Sequence, residues 1–234
     1  MAKKEIQKSE AGALATKADM GGALVQGRDS AMAISRVALF QGTAEEEQMY
    51  GSDFKRGEFI ETLEKVSLGT SIQVVCIGGW VSFAKFIKGQ KAPVYSVRTL
   101  AEVPAEDREW TDGPGGRTPP AVTETVNMVV LVNDDATPSL FLFKRTGLKA
   151  YQRTIEPCEA KFGRCIYELG SVDDKNASGQ PYKRLTAKMV KKLMQDDAKF
   201  PIVTAVEEQF QKAKAKFEAA ASDHAAESRS EIPI

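Results

Sequence analysis

The chain has 234 residues, with 32 basic and 32 acidic side chains, so its formal net charge is zero. That length holds one good-sized domain with tails or two small domains, and the balanced charge excludes a uniformly basic, histone-like protein without excluding segregated charge. Cys76, Cys158 and Cys165 form no Cys-x-x-Cys pair and lie far from the single His224, which argues for a reducing compartment and against a disulfide framework or a zinc site.

Residues 1–30 are rich in Lys, Ala, Gly and Ser with little hydrophobic period, and read as a disordered N-terminal arm. AMAISRVALFQ, residues 31–41, predicts a first strand, and EEEQMYGSDFKRGEF a charged connector. SIQVVCI (71–77) is a short apolar run bounded by glycines, with Gly78-Gly79 suited to a turn or bulge. Alternation through Val81, Phe83 and Ile87, and again from Val94 to Leu100, predicts further strands. Residues 102–120, rich in Pro, Gly and acids, predict a long loop, whose GPGG lacks the Gly-Lys-Ser/Thr ending of a phosphate loop.

From Val122 the chain alternates again, placing Val122, Val126, Met128, Val130 and Val132 on one face. Asn133-Asp134-Asp135 predicts a turn, SLFLFKR a strand, TGLKAYQRTIE a short helix, and YELG with YKRL an extended hairpin. Beyond Thr186 the period changes: Met189, Val190, Leu193 and Met194 fit a helical face, and Val203, Val206, Phe210, Ala213 and Phe217 fit another. The predicted organisation is an arm (1–30), a domain (31–200), and an amphipathic helix with a flexible acidic tail (201–234). Short strands, turns and an interposed short helix predict a mainly β protein: an OB-like Greek-key barrel followed by C-terminal helices. No apolar run approaches the ~20 residues of a membrane span, and the first residues lack a signal-peptide core, so the expected location is the cytoplasm with no membrane partner.

Two stretches stand out, WVSFAKFIKGQKAPVYSVR (80–98) and FLFKRTGLKAYQR (141–153). They interleave rings and cations, and no Asp or Glu occurs between Lys65 and Ala101. Single-stranded nucleic acid fits this chemistry, with phosphates for the cations and base faces for the rings. The candidate cations are Lys85, Lys88, Lys91, Arg98, Lys144, Arg145, Lys149, Arg153, Lys183 and Arg184. The candidate rings are Trp80, Phe86, Tyr95, Phe141, Phe143, Tyr151, Tyr167 and Tyr182. Parity places Leu140 and Leu142 toward the core and Phe141 and Phe143 in the groove; likewise it favours Trp80 and Phe86 over Phe83 as exposed rings. Catalysis finds little support: there is no nucleophile elbow, acid pairs fall in turns, and no cofactor or metal site is expected.

ISRVALFQG, Gly57-Glu58-Phe59, LGTSIQVVCIGGW, LFLFKRTGLKAYQR and YELGSVDDKNASGQPYKRL together resemble a bacteriophage single-stranded DNA-binding protein family with an OB fold, over about Ile34 to Leu185. The resemblance implies non-enzymatic coating of single strands during phage DNA replication and recombination, in the host cytoplasm, and leaves a homo-oligomer open. The terminal SEIPI is similar to the acidic, Asp-Ile-Pro-Phe end of bacterial single-stranded DNA-binding proteins, and implies that Glu231, Ile232, Pro233 and Ile234 recruit replication or recombination proteins. It departs from that pattern in its mild acidity and its final Ile234. The alternative reading is a phage structural or assembly protein with a β-sandwich domain.

Overall fold

The computed structural model describes residues 35–85, 87, 93–113, 116–118, 120–161, 163–176 and 179–230, with side chains undescribed for 111–118, 159–161 and 216–230. The chain divides into a compact unit, Ile34–Glu207, and a second that includes residues 208–234. The predicted arm, Phe86, Lys88, Lys91 and the Glu231–Ile234 tail lie outside the described residues.

The compact unit begins with β1 (Arg36–Leu39) and α1 (Ala44–Tyr50). The charged connector is thus partly helical, because Thr43 and Glu46 form a capping box that satisfies the first amides of EEEQMY. β2 (Phe59–Glu61), β3 (Val66–Gly69) and the long β4 (Ser71–Lys85) follow, then β5 (Tyr95–Val97), a 3-10 turn (Leu100–Glu102) and α2 (Ala105–Arg108). The predicted loop therefore holds α2 and a small hairpin, β6 (Thr111–Gly113) with β7 (Gly116–Thr118). β8 (Val122–Val132) and β9 (Pro138–Lys144) lead into α3 (Thr146–Ala150), which continues as a π-turn (Tyr151–Ile155) and a 3-10 turn (Glu156–Lys161). β10 (Cys165–Lys175) and β11 (Pro181–Lys192) form the expected hairpin, and α4 runs Phe200–Ser230.

One sheet carries the fold, in the order β11-β10-β4-β8-β9-β1-β2-β3, with β5 on the far end of β4. Only β1 with β9 is parallel among the described pairings. The sheet curls into a half-barrel, not the closed barrel expected, because the backbone ladder stops at β3 and β11. Side chains span part of that gap. Gln41 Nε2 donates to the Lys183 carbonyl and Gln41 Oε1 accepts from the Lys183 amide, both at 2.9 Å. Ser171 Oγ donates to the Gly57 carbonyl at 3.2 Å, and Arg56 donates to the Pro181 carbonyl.

The concave face is the main core. Ile72, Val74 and Cys76 of β4, Val126, Met128, Val130 and Val132 of β8, and Cys165 and Leu169 of β10 meet under Tyr151 and Ile155. A bulge at Ile77 shifts the alternation of β4, so that Trp80 pairs with Asn127 and Val81 with the core residue Val126. Just beyond it Gly79 lies so near β8 that a Cβ would meet the Asn127 carbonyl oxygen at 2.5 Å, which excludes any larger residue. On the other face the first turns of α4 supply buried Val203 and Val206, with Val203 beside Val75 and Leu131. Arg164 joins them, 3.4 Å from Glu207 and stacked over Phe200.

Two sequence expectations change here. The stretch after Thr186 is not a helix but the second half of β11, so α4 is the single C-terminal helix among the described residues. Phe141 and Phe143 do not face a groove: they are 2% and 0% exposed, ring centroids 4.8 Å apart, inside the concave core. Tyr151 packs on Phe143, and Tyr167 is 1% exposed in the same cluster.

Candidate nucleic-acid interface

Burial thus removes Phe141, Phe143, Tyr151 and Tyr167 from the set of available rings, because a buried face has no room for a base. Three groups of the remaining candidates are brought to separate places by the sheet.

At the far end of β4, α2 delivers a buried Asp107. Its carboxylate accepts from Lys85 Nζ at 2.7 Å and from the Tyr95 hydroxyl at 2.8 Å. These two hydrogen bonds, Lys85 first, hold the Asp107 carboxyl below the usual aspartate range. Partial burial, then the hydrogen bond to Asp107, pushes the Tyr95 phenol up to about 12. The candidates Lys85 and Tyr95 are therefore occupied with an acid that the sequence keeps 22 residues from Lys85.

The β10–β11 hairpin repeats the pattern. Asp174 accepts from Arg184 Nε at 2.7 Å and from the Tyr182 hydroxyl at 3.1 Å, while Lys183 sits 3.1 Å from Asp173. Cross-strand register explains these partners: Asp173 pairs with Lys183, and Asp174 with Tyr182. Tyr182, Lys183 and Arg184 are half-buried, with their polar ends engaged by the acids of the opposite strand.

The convex face of β4, β8 and β9 differs. Register aligns Trp80, Asn127 and Leu142 in one row and Ser82, Thr125 and Lys144 in the next, all on one face. Asn127 donates to Ser82 Oγ at 2.9 Å. The Arg98 guanidinium lies over the Trp80 ring, 5.0 Å from its centroid, and desolvation there lowers the Arg98 pKa. Small polar residues thus floor a surface with a Trp–Arg stack at one side and Lys144 at the other, about 10 Å away across two strand spacings.

Beyond Lys144 the chain turns into α3 through Arg145, and Lys149 and Arg153 follow at four-residue spacing. All four are exposed, and none makes a salt bridge with another described residue. Desolvation, then repulsion from Arg145, lowers the Lys144 pKa. The backbone at Arg145 is unusual, with φ 52° and ψ −119°. That region is steeply unfavourable for a residue with a Cβ and costs on the order of 1–3 kcal/mol. It persists because buried Phe143 fixes the strand before it, and Gly147, close enough to pack on Leu185, fixes the helix after it.

Sequence reasoning found these cations but missed the acids that silence the others, and missed Gln41, Asn127 and the conformation of Arg145. The Thr-Gly following Arg145 was the one local sign of a tight junction. No three His, Cys, Asp or Glu side chains converge as a metal site requires among the described residues, and no described helix is long and apolar enough to cross a membrane. Comparison with protein-family models, with curated proteins and with solved structures gave no match for this chain.

Proposed function

We propose that this chain is a non-enzymatic single-stranded DNA-binding protein, acting in DNA replication or recombination in the cytoplasm of a phage-infected cell. One observation carries the reading. Lys144, Arg145, Lys149 and Arg153 are exposed with no acid in salt-bridge reach among the described residues, and they adjoin a polar sheet face that ends in the Trp80–Arg98 stack. Unpaired cations recruit phosphates by releasing counterions, and a ring beside them offers a stacking surface for bases without reading their sequence. The helix interposed between β9 and β10 supports kinship with the OB fold, here opened at one seam. The chain's terminus remains the proposed docking element for partner proteins.

The test is a mobility-shift series with a thymidine oligonucleotide, the matching duplex and the matching RNA across salt concentrations. The intact protein should prefer the single strand and weaken steeply with salt. Lys149→Ala with Arg153→Ala should reduce affinity about tenfold and flatten the salt dependence by about 1.4 slope units, two contacts' worth. Trp80→Ala should weaken binding with the slope unchanged. Absence of oligonucleotide binding by the intact protein, with self-assembly instead, would favour a structural role and end this reading.

A further inference from the structure

We infer that Arg145 is the phosphate anchor of this face, its guanidinium held outward by a backbone conformation that the fold imposes and that glycine would satisfy with less strain. The inference rests on the reading above for the identity of the polyanion, but its chemistry is that of any chain of phosphate groups.

Where the described fold needs a positive φ, the chain supplies glycine at Gly42, Gly51, Gly57, Gly69, Gly163 and Gly179. Asn133, a residue type that tolerates the left-handed region, serves one turn, and Lys65 sits in the turn between β2 and β3. Arg145 stands apart, at a strand-to-helix junction where both flanks are pinned by burial. Nothing in the packing requires a long side chain there. Arg145 is exposed and makes no ion pair with any described residue, so no salt bridge among them uses the guanidinium.

A ligand gains much. The guanidinium presents a planar fork that meets two phosphate oxygens at once, which an ammonium does not. A junction fixed on both sides restricts where that fork is carried, so less freedom is lost on binding than from a side chain on a mobile loop. Lys144, Lys149 and Arg153 flank it as point charges that add attraction without fixing the register.

The experiment compares the full-length chain with Arg145→Gly, Arg145→Lys and Lys149→Ala, reading thermal melting and affinity for two probes, a thymidine oligonucleotide and inorganic polyphosphate. Arg145→Gly should melt no lower than the parent and bind about tenfold more weakly. Arg145→Lys, which keeps charge and strain, should lose about threefold, and Lys149→Ala about twofold. Parent-like binding by Arg145→Gly overturns the inference, as does a loss of binding that merely accompanies a fall in melting temperature. Binding of polyphosphate but not of oligonucleotide, lost in Arg145→Gly, keeps the anchor and ends the single-strand reading. Oligonucleotide binding that Arg145→Gly leaves intact does the reverse, and binding of neither probe by the parent ends both.

Discussion

Asp107 shows how one residue redirects a surface. Its carboxylate is held ionised by Lys85 and Tyr95, so its pKa in the folded chain lies below the unfolded value of about 4. A depressed carboxyl contributes stability that is complete above the unfolded pKa and is lost as pH falls through the folded one. Acid titration should therefore loosen the β4–β5 end below about pH 4. Asp107→Asn should remove that part of the pH dependence, as read by urea midpoints at pH 7 and pH 3. The acid-free window from Lys65 to Ala101 is real in sequence, yet it does not survive folding, because α2 carries Asp107 back onto Lys85. Composition along a chain cannot see a contact whose partner arrives from a different element. Lys149 and Arg153, by contrast, stay exposed and make no salt bridge with another described residue.

At the level of the element, β9 and β11 were the hard cases, each for its own reason. Parity in β9 fails to separate core from surface because Leu140 and Phe141, on opposite faces, are both buried. In β11 the apparent helical period arises from a bulge: Ile166 pairs with Lys191 and Tyr167 with Met189, leaving Val190 as an extra residue. One inserted residue turns two-residue alternation into a mixed spacing that imitates a helix. The two halves of β4, read as successive strands but joined through the bulge, with β8, the turn at Asn133 and the interposed α3, were legible, since glycine bounds, alternation and Pro138 act locally. The seam between Gln41 and Lys183 was not, as a single glutamine carries no periodic signal. That side chain imitates a strand's main chain by both donating and accepting. Gln41→Ala leaves a main-chain amide and a carbonyl in a half-buried place, and should lower stability by about 1–3 kcal/mol in urea unfolding.

For the whole molecule, zero net charge conceals an uneven distribution. Of the described candidate cations, Lys85, Lys183 and Arg184 are paired with acids, whereas Lys144, Arg145, Lys149 and Arg153 make no salt bridge with a described residue. If only those four meet phosphates, the logarithmic salt slope for single strands should be about −3, at roughly −0.7 per contact. A slope near −5 would mean that the three paired cations leave their acids when the ligand arrives. Fluorescence titrations at four or five salt concentrations separate the two values.

The bulge at Ile77 has a consequence for how this strand tolerates changes in length. It works as a frameshift in a two-letter code: before it the even positions Ile72, Val74 and Cys76 look inward, and after it the odd positions do, beginning with Gly79 opposite Met128 and Val81 opposite Val126. Deleting Ile77 alone would remove the bulge, restore perfect alternation and leave Trp80 opposite Asn127 on the polar face, whereas adding one residue between Ile77 and Trp80 would turn the indole toward the core, which a blue shift in its emission would report. Removing one residue from the same stretch, Ile77 included, would return the indole to its place. A deletion at the bulge should thus be tolerated alone and an insertion only when compensated, with the phase of Trp80 rather than strand length as the conserved quantity.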